Sequence, residues 1–333
     1  MTRKLLFRLA ALFAFVMLIS AAVIYFTFDI RALEYLTMFD LQCVLLALGC
    51  LALGLTFDGL RLMTLADVTD EKLPVRQVAN VVLSNYFLAL VTPGASGGAI
   101  AQIMFMKKAG VPVAKATVVV LVRTIMSIFF LILLVPVVLQ NDNDISRWMP
   151  PSVITTVSVL FTSLPVIAFF LMRTKYPEQW LYICTAKFSY DTRRNCFIWY
   201  KEFKHAFVVM GQHPFRILKA FLESGISLLC IYATVPAFFT GLNIDFNFFQ
   251  VMGRMVLLNL VLYFSPTPGG SGIAEAGFVV LFSSILPNGL DGIMAVLWRF
   301  TAEYLPFLLG AFVSVRAFGA NVLAMTNLGR DNK

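Results

Sequence analysis

Six stretches of this sequence are long and apolar enough to cross a lipid bilayer: residues 6–27, 39–60, 116–139, 151–172, 217–240 and 293–316. A spanning helix needs ~20 such residues. In hydrocarbon each backbone N–H and C=O must find its partner inside the protein, and an α-helix satisfies them within a single segment. Hydrophobic residues make up 59% of the 333 and charged ones only 13%, about half the charged share of a soluble domain. That composition leaves too little polar surface for a water-soluble globule, and it equally excludes disorder, collagen and a small disulfide-stapled fold. The chain therefore reads as an all-α polytopic membrane protein, one transmembrane domain over 1–333. Its first apolar run, Leu5 to Phe28, is longer than the core of a cleavable signal and reads as a retained helix.

Two further apolar stretches, 78–108 and 250–286, are broken near the middle by Pro, Gly and Ser. Their arms are roughly 15 residues, half to three quarters of a crossing. Each reads as a re-entrant hairpin, with a pair of full crossings as the alternative. Both versions return the chain to the side it came from.

The charges can then be placed. With the N-terminus inside, 21 Lys and Arg fall in inner segments, from Arg3, Lys4 and Arg8 through Lys107, Lys108 and Lys115 to Arg316, Arg330 and Lys333. Only Arg31 and Arg147 fall outside, where Asp29, Glu34, Asp40, Asp142, Asp144, Asp245 and Asp291 lie instead. Such a bias is the positive-inside signature, and it puts both termini in the cytoplasm. The net charge of +8 is thus a topological sorting rather than a basic face for nucleic acid. The inner loop 173–215 is the one sizeable extramembrane piece; Phe197, Tyr200, Phe203 and Phe207 recur there at helical spacing beside Lys201 and Lys204. That pattern suits a helix lying on an anionic leaflet, with a solvated connector as the alternative.

The interrupted stretches repeat one another. VVLSNYFLALVTPGASGGA holds Thr92, Pro93, Gly94, Ser96, Gly97 and Gly98; VLLNLVLYFSPTPGGSGIA holds Thr267, Pro268, Gly269, Ser271 and Gly272. The motifs align at an offset of 175, with Asn85 and Asn259 before them at 174 and Arg123 and Arg299 after them at 176. The first hairpin, in the half 1–150, enters from the inside; the second, in the half 217–320, enters from the outside. The halves are therefore related by inversion, the organisation of many alternating-access transporters.

A Gly-rich break at membrane depth is tolerated only where protein or a water-filled cavity surrounds it. Proline stops the incoming helix, glycine allows positive φ, and Ser or Thr caps the outgoing helix. The N–H groups of that new helix then point inward at its positive dipole end. Two such ends, one per half, would make an anion site, with Thr92, Pro93, Gly94, Ser96, Gly97, Gly98, Thr267, Pro268, Gly269, Ser271 and Gly272 as its candidate lining. A helix kink or close small-residue packing is the plainer alternative. Ionisable side chains inside the membrane are Arg123, Glu275, Arg299 and Glu303, costly there and so functional candidates. Planar guanidinium forks suit phosphate, which favours Arg123 and Arg299 as phosphate contacts, with structural ion pairing as the alternative. Asp58 with Arg61, and Glu223 with Lys219, read as interfacial pairs near inner helix ends.

Enzymatic chemistry has little support. There is no H-E-x-x-H, the Gly-rich GASGGA around Ser96 has no histidine at membrane depth to activate it, the two histidines His205 and His213 lie in the loop, and the five cysteines show no C-x-x-C spacing. No cofactor or metal is expected.

The stretches VTPGASGGAIAQIMFMKKAGVPVAKATVVVLVRTI and PTPGGSGIAEAGFVVLF resemble the transmembrane flippase region of lysylphosphatidylglycerol synthase, the multiple peptide resistance factor, over roughly residues 5–320. The resemblance implies a multispanning fold with re-entrant helices that moves a lipid, aminoacylated phosphatidylglycerol in the named members, between leaflets. It places Pro93, Gly94, Gly97 and Gly98 on the first motif, Pro268, Gly269, Gly272 and Glu275 on the second, and Arg123 and Arg299 on the helices that follow. Bifunctional members carry a soluble synthase domain after the membrane region, whereas this sequence ends at Lys333, so aminoacyl transfer is not expected. The resulting expectation is a flippase for an anionic or aminoacylated phospholipid in the bacterial cytoplasmic membrane. Its partners would be membrane phospholipids and a separate lipid-synthesising enzyme, with a homo-oligomer left open. A transporter of a polyprenyl-phosphate-linked precursor or small anion, and a non-transporting scaffold, are the rival readings.

Overall fold

The computed structural model describes residues 40–92, 96–142, 176–186, 190–242, 245–287 and 289–328, with scattered positions between 144 and 174. Among these residues every regular element is helical. The chain is an all-α polytopic membrane protein. Four apolar helical runs are long enough to cross a bilayer: Leu41–Val68, Val113–Val138, Pro214–Gly241 and Leu290–Ala317. They coincide with four of the six expected crossings; the expected crossing 6–27 lies outside the described residues, and 151–172 does so for the most part.

Helix α1 is Leu41–Val68. The first interrupted stretch forms α2, Val75–Val91, and α3, Ser96–Lys108. Then comes α4, Val113–Asn141, which carries Pro136 within it. Two loop helices follow, α5, Tyr176–Cys184, and α6, Tyr190–Gln212. Helices α7, Pro214–Tyr232, and α8, Thr234–Gly241, make the next crossing. The second interrupted stretch forms α9, Phe248–Tyr263, and α10, Ile273–Phe282. The chain then continues through α11, Leu290–Arg299, a π-helical turn at Phe300–Tyr304, and α12, Leu305–Leu328. Helix, break, helix, turn and long helix thus occur twice in the same order, at 75–141 and again from 248. None of the four arms α2, α3, α9 and α10 reaches the ~20 residues of a crossing.

Helix contacts divide the chain into two compact units. The first contains residues 79–102 and 229 onward, so it holds most of the first interrupted stretch together with all of the second. In its core Phe87 meets Phe307 at 5.4 Å between ring centroids, and Leu90, Val91 and Tyr304 complete the cluster. Phe278 stacks on both Phe282 and Trp298, which clamps α10 to α11. Gly310 lets α12 lie directly on α2. A methyl group there would collide with the Leu83 carbonyl oxygen and stand 3.1 Å from Phe87 Cβ. In a roomy helix, Gly→Ala would be stabilising by up to about 1 kcal/mol. Here the obstacle is backbone, so Gly310→Ala is expected to destabilise by about 1–3 kcal/mol. The midpoint of thermal unfolding in detergent checks the sign; a raised midpoint would show that α2 and α12 are not in contact.

The second unit covers residues 56–78 and 103–228. Gly225 of α7 fits beneath the Phe130 ring of α4, and Phe221 packs against Phe129 and Phe130. Lys115, near the start of α4, donates to the Thr69 carbonyl at 2.8 Å and to Glu71 at 2.7 Å. Arg216, near the start of α7, reaches the Asp67 carbonyl at 3.5 Å. The end of α1 and the starts of α4 and α7 therefore lie together.

Candidate functional site

The second break is described throughout, and its backbone follows from its composition. Gly269, Gly270 and Gly272 all have positive φ, at 57°, 70° and 83°, a region that side chains other than glycine rarely adopt. The turn closes with Gly270 N–H on the Thr267 carbonyl and Ser271 N–H on the Pro268 carbonyl. Ser265 and Thr267 hydroxyls lie 2.9 Å apart. Helix α10 starts immediately afterwards. The Gly272 N–H at its head is taken by Glu275 at 2.7 Å, so the helix dipole end is answered by a carboxylate of its own first turn. Gly269 also lies against Leu90 of α2, where a side chain would be 2.6 Å from Leu90 Cδ1. The two interrupted stretches therefore touch.

Arg299 lies at the centre of this arrangement with no exposed surface. Its Nε donates to Glu275 at 3.1 Å, Nη1 to Glu303, and Nη2 to the Gly269 carbonyl at 2.9 Å and the Ser271 hydroxyl at 3.4 Å. The Tyr304 ring centroid lies 5.6 Å from the guanidinium carbon. One arginine thus joins the break, the head of α10 and the π turn. The turn has a local cause. Pro306 has no N–H to give and crowds the carbonyl four residues back; the ladder widens there, and Leu305 N–H bonds Phe300 O. Such bulges recur at functional sites. One Arg against two Glu leaves the cluster acidic. Glu275 is fully buried, but the Glu303 side chain keeps 21% of its surface open.

In the first break, Pro93 and Gly94 lie outside the described residues, as does the Ser96 side chain. Thr92 shapes the visible part. Its hydroxyl donates to the Leu88 carbonyl at 2.7 Å and accepts from the Gly97 N–H at 2.8 Å. A methyl group on Gly97 would run into Thr92, and one on Gly98 into Asn85. Asn85 accepts from Gln102 at 2.7 Å and so ties α2 to α3. Its counterpart Asn259 instead bonds back to Met255 within α9. Sequence reasoning did not separate the two.

Arg123 belongs to the second unit, in a cluster of its own. Asp58 takes both Arg61 and Arg123 on its carboxylate. Arg61 also donates to Ser127 at 2.7 Å and to Ser224 at 2.6 Å. Asp58, Arg61 and Arg123 are each about 5% exposed or less. This corrects the reading of Asp58 and Arg61 as an interfacial pair: both are interior residues. Asp58 lies ten residues before the end of α1, and Arg123 and Ser224 ten residues after the starts of α4 and α7, or about 15 Å along the axis. Glu223 and Lys219 do pair, at 3.7 Å, with Lys219 largely exposed. The guanidinium groups of Arg123 and Arg299 are both held by carboxylates, the ion-pairing alternative for each. Sequence reasoning gave Arg254 no role. It is a buried staple that donates to the Leu281 carbonyl and to Ser284, tying α9 to the far end of α10.

Residues 11–310 match the family described as the lysylphosphatidylglycerol synthase TM region. A protein described as a UPF0104 membrane protein, from Archaeoglobus fulgidus, is 21% identical over 266 residues, which is 76% of this chain and 80% of that protein. The matched span takes in both interrupted stretches, Arg123, Glu275, Arg299 and Glu303, and the chain belongs to the lysylphosphatidylglycerol synthase transmembrane-region family.

Proposed function

We propose that the chain is a lipid translocase rather than an enzyme, and that it moves an anionic or aminoacylated phospholipid between leaflets of the bacterial cytoplasmic membrane. The observation that carries this reading is the contact of the second Pro-Gly break with α2, the arm that leads into the first, in one unit, with a buried arginine bonded to the broken backbone. Arms of 17, 13, 16 and 10 residues extend about 25, 20, 24 and 15 Å, against ~30 Å of hydrocarbon. They enter and return as re-entrant hairpins from opposite sides. Open backbone of this kind belongs next to a polar path.

The acidic cluster suits the amine of an aminoacylated head group. Glu303, the more open carboxylate, supplies an acceptor for ammonium, and Arg299, its nitrogens held by Glu275, Glu303, Gly269 and Ser271, keeps that carboxylate in place. The acyl chains stay in the bilayer, so only the head group crosses. Leaflet exchange of head-group-labelled phosphatidylglycerol and its lysyl ester in reconstituted vesicles tests this. Exchange should exceed that of protein-free vesicles, and Glu303→Gln should slow the lysyl ester more than the unmodified lipid. Exchange no faster than in empty vesicles for every head group would sink the reading, and a protein that acts as a scaffold would give that result.

A further inference from the structure

We propose that the loop helices α5 and α6 form a docking arm whose open groove takes the phosphate head groups of anionic phospholipid in the adjoining leaflet. One stripe of α6, at positions 190, 193, 194, 197, 198 and 201, lines a groove of about 540 Å³ with Tyr190, Arg193, Arg194, Phe197, Ile198 and Lys201. These positions follow the i, i+3, i+4, i+7 spacing of a single helix face. Three of the six are cations and none is acidic. Tyr200, off this stripe, is turned inward and buried. Lys204 is held by the Thr174 carbonyl at 3.1 Å. The groove cations are therefore those left facing outward by a helix that packs along α4, itself a membrane crossing.

Helix α5 says what kind of anion the groove meets. None of its described residues is buried. Trp180 is 72% exposed, and Tyr176, Tyr182 and Ile183 are exposed beside it. The Arg193 guanidinium sits 4.0 Å over the Tyr182 ring, which fixes α5 against the groove. A soluble phosphate or an acidic peptide needs cations but no rim of exposed aromatic and aliphatic side chains. A membrane surface needs both: phosphates for Arg and Lys, and a head-group layer for Trp and Tyr. The proposal does not depend on the transport reading.

Quenching of tryptophan fluorescence by bromine-labelled acyl chains tests the proposal in full-length protein reconstituted into vesicles. One series carries the bromine on phosphatidylglycerol, the other on phosphatidylcholine, at equal total bromine. Quenching should be greater from phosphatidylglycerol. That excess should vanish in Trp180→Phe and be largely lost in Arg193→Gln/Arg194→Gln/Lys201→Gln, while Lys204→Gln keeps it. Equal quenching by the two lipids would overturn the proposal, as expected if the arm instead binds a soluble protein. So would an excess that survives Trp180→Phe or the triple substitution. The elution volume and far-ultraviolet spectrum of each variant confirm that the arm, not the fold, has changed.

Discussion

Replacing Arg299 with methionine is expected to destabilise the folded protein by about 3–5 kcal/mol, read as the shift in unfolding midpoint in detergent. The substitution keeps an unbranched side chain of similar reach, so little packing is lost. It strips Glu275 of its buried cation and leaves Glu303 without its partner, and it removes the donor to the Gly269 carbonyl. An uncompensated buried carboxylate is the costly outcome, more than loss of the pair as such. Arg299→Met/Glu275→Gln/Glu303→Gln removes all three charges together and should recover most of that stability. Lipid exchange should stay low in the triple variant, because the carboxylates that would take the head-group amine are absent even though the fold is restored. That split separates a site that merely holds the hairpin from one that also handles a head group. A single Arg299→Met variant within about 1 kcal/mol of the parent, the range of an exposed ion pair, would contradict the buried geometry.

How far the molecule can be read from its sequence differs from residue to residue. Apolar runs and sorted charges place crossings because the bilayer imposes both rules on every such chain. The motif around Pro268 is legible because glycine adopts the three positive φ values it needs far more readily than other residues. The Arg299–Glu303 contact follows from i, i+4 spacing, and Glu275 at the third position of α10 follows from capping chemistry. The π turn was not legible, since Pro306 signals a local disturbance but not its form. Asp58 was misread for a specific reason. Its charge, with that of Arg61, ends the apolar run near residue 60, which points to a helix end there as well. Helix α1 in fact continues to Val68, which puts Asp58 nearly three turns from its end. Hydropathy locates where apolar side chains stop; it does not locate where a helix leaves the membrane when the charges inside it answer one another. Arg123 likewise shows no acidic neighbour along its own helix, because its partner is 65 residues away.

That partnership sets the second large effect. Asp58→Asn should destabilise the protein by about 3–5 kcal/mol, since it leaves Arg61 and Arg123 buried together without the carboxylate they share. Asparagine keeps the shape and can still accept a hydrogen bond, so the loss reports charge rather than volume. Arg123→Gln should cost less, about 1–3 kcal/mol, because Asp58 keeps Arg61 as its cation. The double variant Asp58→Asn/Arg123→Gln should cost less than the two singles added together, with a coupling of at least 1 kcal/mol, as for residues sharing one network. Ser127→Ala is the control. It removes one of two hydroxyls on Arg61 and leaves Ser224 at 2.6 Å, so about 1 kcal/mol is expected. Strict additivity of Asp58 and Arg123 in the unfolding cycle would place the two side chains apart. Strong coupling would establish that α1 and α4 are joined by a buried ion pair rather than by apolar packing alone. It would also separate the two arginines of the repeat by role: Arg123 would hold a helix pair together within its own unit, while Arg299 would lie on the broken backbone where a head group can reach Glu303.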